Sequence, residues 1–246
     1  MSTPLCTATW PEIESFRETL ATAVTGAPDL AAASQAFAQA FVTRFSSVVL
    51  ARVFVVTPLR ALPPAEQTVA RATAVAAGHV APLPITVPVL ALLGTAGTQP
   101  AWADRTRSAG HRAIPLVDAK FVEGAPMIAE LLSALKVDLS AFGRDAGNLL
   151  RPMAGGLNQR FFVPDAPETT DARGRKIIGA QDFVHAHGVR SVFGMGGTYV
   201  DGTVVAAILF TTELLTTSVV DRYPSLIGTF KLATGSLVAG GALFPG

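Results

Sequence analysis

Gly188–Val189–Arg190–Ser191–Val192–Phe193–Gly194, followed by Asp201–Gly202–Thr203–Val204–Val205–Ala206–Ala207–Ile208–Leu209–Phe210, is the most clearly patterned part of the chain. Val189 to Met195 and Val204 to Phe210 are rich in β-branched and aromatic residues, which suit a pleated, half-buried surface. Gly196–Gly197 and Asp201–Gly202 supply turn residues between them. The pair therefore reads as two antiparallel strands. An amphipathic segment, Thr217 to Val238, reads as a closing helix. Pro224 either kinks it or marks where its longer part begins, because proline lacks a backbone donor.

The same patterning extends toward the N-terminus. Pro11 suits a first helical position, and Ile13, Phe16, Leu20 and Val24 recur at helical spacing. After Gly26–Ala27–Pro28 a second helical run carries Leu30, Phe37, Phe41 and Phe45 on one stripe. That stripe reads either as core or as a face for another subunit. Ser47 to Thr57 reads as a strand and Ala65 to Ala77 as a helix closed by Gly78. Val80 to Pro88 reads as an extended connection and Val89 to Gly97 as another strand. Ala113 to Leu116 is a short apolar run. Ala125 to Lys136 and Leu139 to Leu150 read as helices, Gln159 to Val163 as a strand, Asp165 to Lys176 as a solvated loop and Gln181 to His187 as one or two helical turns.

These residues resemble the end of a GAF domain: a Gly188–Val189–Arg190–Ser191–Val192 strand, a hairpin, an apolar strand and a terminal helix. The opening helix and the Ser47–Thr57 strand are consistent with it. Three stretches narrow the likeness. They are Trp102-x-Asp104–Arg105-x-Arg107–Ser108-x-Gly110–His111-x-Ala113–Ile114–Pro115–Leu116, then Ala180–Gln181–Asp182–Phe183–Val184, then Gly188 to Gly194. They resemble the GAF-like N-terminal input region of bacterial sensor histidine kinases. The resemblance implies an α+β fold: a PAS-related antiparallel sheet of five or six strands, with helices of both chain ends packed on one face and a pocket on the other. It implies one GAF-like domain over residues 1–246, with an N-terminal helical extension and a middle region, about 98–178, that is enlarged. It further implies a homodimer through the terminal helices, with a histidine kinase or another signalling protein as partner.

Composition sets bounds. The chain has 246 residues, of which 50% are hydrophobic and 15% charged, so a disordered tail is a poor description. Nineteen Lys+Arg against eighteen Asp+Glu give +1, and 7% aromatics at buried spacing make no stacking platform, so nucleic acid is not the expected partner. Val80 to Ala96 is the longest greasy stretch, but three prolines break it, and neither a membrane span nor a signal peptide is expected. A cytoplasmic location follows as the expectation. Cys6 is the single cysteine and builds neither an internal disulfide nor a multi-thiolate zinc site. It stands apart in sequence from any basic cluster that would activate it.

The candidate site is assembled from the polar middle stretch. Guanidinium forks of Arg105, Arg107 and Arg112, with His111, suit carboxylates or phosphates, and the indole of Trp102 offers a flat apolar wall. The blander alternative is a loop held by Arg–Asp pairs and packed by Trp102. The expected ligand-binding set is Trp102, Arg105, Arg107 and His111 at a pocket mouth, with Phe183, Val192 and Phe193 near its wall, and His187. A haem would need an axial histidine, for which His111, His185 and His187 are the candidates and His79 the remaining one. No other metal site is expected. Ser108 and Ser191 have no nucleophile-elbow context, and Gly194-x-Gly196–Gly197 enters a hairpin instead of a dinucleotide-binding helix. No catalytic constellation is legible. The leading expectation is a non-enzymatic sensory domain that binds a small ligand and signals through its terminal helices. The alternatives are a structural self-association module with a filled pocket, a haem-dependent gas or redox sensor, and a small-molecule enzyme.

Overall fold

A computed structural model of the chain describes residues 2–108, 111–137 and 159–245. The helix expected over Leu139 to Leu150 lies outside the described residues. In chain order the elements are α1 (Trp10–Val24), α2 (Leu30–Arg44), β1 (Val48–Pro58), α3 (Pro64–Ala76), β2 (Pro88–Gly97), β3 (Ala113–Pro115), α4 (Ala119–Glu123) and α5 (Pro126–Ala134). They continue with β4 (Gln159–Val163), α6 (Gln181–Ala186), β5 (Ser191–Thr198), β6 (Val204–Thr211), α7 (Thr217–Val220) and α8 (Ser225–Ala239). Single 3-10 turns cover Leu59–Ala61, Pro100–Ala103 and Arg105–Arg107.

The helix starts have local causes. Glu12 accepts from the Thr9 N–H at 2.8 Å, and Pro11 stands in the first turn of α1, where a missing donor is harmless. Asp29 caps α2 by accepting from the Ala32 N–H at 2.7 Å. Asp118 caps the short α4, which the sequence reading did not include, by accepting from the Phe121 N–H at 2.7 Å.

The strands form a six-stranded sheet in the order β3-β2-β1-β6-β5-β4, with every neighbouring pair antiparallel. The fold is α+β. One face carries α1, α2 and α8, and the phenylalanine stripe of α2 is core on that side. Phe37 meets Phe230 of α8 edge-to-face at 5.1 Å, and Phe41 meets Phe16 of α1 at 5.0 Å. The opposite face is covered by α4, α5, α6 and the described segments at Ala166 and Ile177–Ile178.

Two boundaries differ from the sequence reading. β5 runs on through Gly196 and Gly197, which were expected to turn, and the turn falls at Tyr199–Thr203. Gly196 is there because the neighbours press close: a Cβ on it would lie 2.5 Å from Leu135 Cδ2 and 2.7 Å from the Val205 carbonyl. The C-terminal helix is divided. α7 ends at Val220, and Pro224 stands at the start of α8, where it costs no helical hydrogen bond.

Strand β1 is central, and its pairing with β2 slips between Val53 and Phe54, where Gly94 and Leu92 are the partners. That slip is a β-bulge. Gln35 of α2 reaches across it: its amide donates to the Thr95 carbonyl at 2.8 Å and accepts from the Thr95 N–H at 3.1 Å. The helix comes so near that a Cβ on Gly94 would lie 2.3 Å from the Ser34 carbonyl carbon. Gly94→Ala is therefore expected to destabilise the fold by about 2 kcal/mol through overpacking, read as a thermal midpoint lowered by ~5 °C for a chain of this size. An unchanged midpoint would mean that α2 stands farther from β2.

Candidate functional site

Alternation along a strand sends successive side chains to opposite faces. In β1 it sends Ala51 and Val53 toward the helices, and Leu50, Arg52 and Phe54 toward the other side. On that side lies a cavity of about 550 Å³. Its floor is the sheet: Leu50 and Arg52 from β1, Thr95 from β2 and Phe210 from β6. Its walls are the 3-10 turns around Trp102 and Arg107, the start of α5 with Met127 and Ile128, and the Ile177–Ala180 segment leading into Phe183 of α6.

Aromatic rings shape one wall. Phe183 meets Phe210 edge-on at 5.4 Å and Trp102 at 5.6 Å, and Trp102 meets His187 at 4.7 Å. Such edge-to-face pairs hold their rings in defined orientations. Trp102 and Phe183 therefore present fixed apolar surface to the cavity.

The polar end is small and centred on β1. Arg52 stands opposite Thr95 in the register, so the two side chains share a face. The Arg52 Nη2 donates to Ser108 Oγ at 2.9 Å, and its Nε is buried without a hydrogen-bond partner among the described residues. The Thr95 hydroxyl, on a residue only 1% exposed, is likewise unpartnered. Burial pulls the Arg52 guanidinium below its ordinary value. It remains charged, because arginine's ordinary value lies far above neutral.

His111 stands at the rim with φ of 49°, a left-handed conformation uncommon outside glycine. Crowding against the cavity wall removes water from one side of its imidazole. With the Arg52 charge nearby, this pushes its pKa below the ordinary 6.5.

The remaining expected residues divide. Trp102, Arg107, His111 and Phe183 line the cavity. His187 packs behind Trp102 and does not line it. Val192 lies on the cavity side of the sheet, beside Phe210 in the register, within the packed core. Phe193 points to the helical face and meets Tyr223 at 5.6 Å, because neighbouring strand residues cannot both face one side. Its expected place at the wall is corrected accordingly.

Arg105 is also elsewhere than expected. Its Nη1 donates to Glu66 Oε1 of α3 at 2.9 Å, and Arg112 donates to the same oxygen at 2.8 Å. Glu66 is 4% exposed, so this is a buried ionic cluster of two cations on one carboxylate. Asp104 instead caps its own turn, accepting from the Thr106 N–H at 2.8 Å. Arg105 and Arg112 are thus tied to α3 by ion pairs, and Arg107 is left to the cavity.

Of the haem candidates, His111 alone lines the cavity; His185 is exposed on α6, and neither it nor His187 faces the space. Among the described residues, no group of three or more His, Cys, Asp and Glu side chains is placed to hold a metal ion, and no helix is long and apolar enough to cross a membrane. Ser191 is committed to structure: its hydroxyl donates to the Pro164 carbonyl at 2.7 Å and accepts from the Leu215 N–H at 2.9 Å. Cys6 is exposed near α7, and a hydrogen bond with Glu213 pushes its thiol up, away from reactivity.

Arg52 and Thr95 were missed by sequence reasoning. The signal was present as a lone charge in the apolar run Val48 to Val56, at alternate spacing with Leu50 and Phe54.

Terminal helices share one face of an antiparallel sheet, and a cavity lies on the other under the middle segments. The fold is GAF-like. No protein-family model matches the sequence, and no curated protein matches it. Among solved structures, the phycoerythrobilin-bound GAF domain of a cyanobacterial phytochrome is similar at 10% identity and a TM-score of 0.48, covering 93% of this chain and 97% of that one. The phycocyanobilin-bound GAF domain of a cyanobacterial phytochrome gives 8% and 0.47, over 93% and 96%. An N-acylhomoserine lactone dependent LuxR-family transcription factor from Burkholderia cenocepacia gives 11% and 0.46, over 96% and 99%.

A pKa below 6.5 in the folded GAF-like structure means that the unfolded chain takes up the His111 proton first. Stability from this group is full above the unfolded value and is lost as pH falls toward the folded one. Denaturant titrations above and below that window are expected to show wild type losing more stability on acidification than His111→Gln. Equal losses would place the imidazole in ordinary solvent.

Proposed function

We propose that residues 1–246 act as one cytoplasmic sensory domain. It binds a small ligand in the cavity and passes its occupancy to the terminal helices, where a second copy or a histidine kinase reads it. The observation that carries this reading is the cavity itself: about 550 Å³ of space lined by fixed aromatic rings, with a guanidinium that meets no carboxylate among the described residues and an unpartnered hydroxyl at its floor. Sites for small ligands have this character, mostly apolar with a few placed polar groups. A purely structural self-association module would have no use for an open cavity with desolvated polar groups inside it.

A route from cavity to helices exists in the contacts. Trp102, Arg107 and Ser108 line the cavity, and Arg105 lies in the same pair of turns. Arg105 binds Glu66 on one side and stands over the Phe244 ring at 5.3 Å on the other. The adjoining C-terminal residues end the relay: the carbonyls of Ala242 and Leu243 accept from the Leu30 and Ala31 N–H groups at 2.8 and 3.1 Å. These are donors of the first turn of α2, which have no intrahelical partner. A ligand that favours one arrangement of the mouth would bias the seating of the C-terminal segment on α2, a shift of population between two arrangements. Leu232 of α8, 88% exposed, offers apolar surface for a second copy on the same helical layer.

The direct test is native mass spectrometry and a visible spectrum of freshly purified protein, with a thermal-shift screen of chemically diverse small molecules. A retained mass or a stabilising compound is expected for wild type, and its loss in Trp102→Ala. If wild type retains nothing and no compound raises its midpoint, the ligand-binding reading fails.

The relay has its own test. Glu66→Gln weakens the hold on Arg105, and the Leu30 and Ala31 amides are expected to exchange their hydrogens faster, while amides in the middle of β1 keep their protection. Unchanged exchange at Leu30 and Ala31 would sever the mouth from the C-terminal segment.

A further inference from the structure

We propose that the cavity is built for a monoanionic amphiphile: a ligand with one carboxylate, seated on Arg52 and Thr95, and a hydrophobic body lying against Trp102, Phe183 and Ile128. This rests on the reading of the cavity as a ligand site and specifies what that ligand must carry.

The first observation is the charge on Arg52. It projects from the central strand of the sheet into a floor whose other residues, Leu50, Thr95 and Phe210, are uncharged, and among the described residues no carboxylate pairs with it. Arg105 and Arg112 provide the contrast within the same protein, since both reach Glu66. A buried guanidinium without a counter-ion is costly, and the neutral Ser108 hydroxyl does not balance its charge.

The second observation is the Thr95 hydroxyl. It is buried, lines the cavity and has no hydrogen-bond partner. Thr95 lies directly across from Arg52 in the β1–β2 register. A buried donor left unpaired is costly, and here, among the described residues, the hydroxyl and the Arg52 Nε are unpaired on one face of adjacent strands. Two donors side by side match the two oxygens of one carboxylate. The Nε–H and the neighbouring Nη–H of a guanidinium also present parallel donors with carboxylate spacing.

Charge and shape narrow the class further. Arg52 is the one cation of the floor, Arg107 stands apart from it in the 3-10 turn of the wall, and His111 at the rim is pushed toward its neutral form. A phosphate would bring up to two charges and more acceptor oxygens than the floor has donors, and its surplus oxygens would face Leu50 and Phe210. A neutral ligand would leave the guanidinium uncompensated. The body is specified by the walls, which are aromatic on the Trp102–Phe183 side and aliphatic at Ile128 and Ile178. The volume of about 550 Å³ falls among those of drug-sized ligand sites.

The probes are two matched pairs, 1-naphthylacetate with 1-naphthaleneacetamide and decanoate with decanamide. Each pair keeps the body and exchanges a carboxylate for a neutral amide. Titration calorimetry on wild type is expected to give at least one acid about tenfold or more tighter than its amide. Arg52→Met should abolish that preference and leave the amide affinity within about twofold. Thr95→Val, a near-isosteric change, should weaken the acid and spare the amide. It reads the same site independently should Arg52→Met fail to fold.

Amides that bind as tightly as their acids would overturn the carboxylate assignment and leave the cavity a ligand site. An acid preference that survives in Arg52→Met would move the anion to Arg107 or His111 and overturn the assignment as well. If no member of either pair binds at about 1 mM, the proposal falls. The ligand-binding reading falls with it only if the broad screen of wild type is also empty.

Discussion

The two-residue period of β1 sorts the protein into a helical core and a cavity face. This strand has β2 on one side and β6 on the other, so it is buried on both faces and cannot slip without exchanging them. One set of its residues closes the helical core. The other set, Leu50, Arg52 and Phe54, belongs to the opposite side. A single charged residue on the second set therefore becomes the polar centre of a cavity. The bulge at Val53 and Phe54 sets the register that brings Thr95 opposite Arg52, and Gln35 satisfies the backbone groups at the irregularity. Helix α2 thus fixes the geometry of the cavity floor from the far side of the sheet.

The two faces have different mechanical characters. The helical face is knit by phenylalanine contacts between α1, α2 and α8, and truncating such a ring typically costs 3–5 kcal/mol. The cavity face is assembled from short helices, single 3-10 turns and loops, whose positions depend on a few polar anchors. Glu66 is the chief of these, holding Arg105 and Arg112 in a buried cluster. A firm scaffold on one side and an anchored, divisible cover on the other suit a domain whose cover responds to what lies beneath it. The C-terminal residues join the two, touching Arg105 through Phe244 and α2 through backbone carbonyls.

Some of this was legible in the chain because its causes are local. The strands of the C-terminal hairpin, the two N-terminal helices with their phenylalanine stripe, and β1 and β2 all declare themselves by period and by β-branched composition. The GAF-like arrangement was expected from the resemblance of particular residues, Gly188 to Gly194 above all, and not from the order of the elements. The limits were local too. Gly196 and Gly197 read as a turn, because a close approach by Leu135 leaves no mark in the neighbouring residues. Trp102, Arg107, His111 and Phe183 were picked by chemical type, and they line the cavity. Arg105 was picked by the same rule and does not, because its acidic partner stands 39 residues away on α3.

The amino-acid sequence by itself determined the element types, the antiparallel hairpin and the sorting of residues into buried and exposed sets, since these follow from spacing and intrinsic preference. Only the tertiary structure decided which charges are neutralised. Arg52 and Arg105 are alike as residues, yet one meets Glu66 and the other meets a hydroxyl and an open cavity. Pairing of charges is a property of distance in space, and strand order and register set that distance.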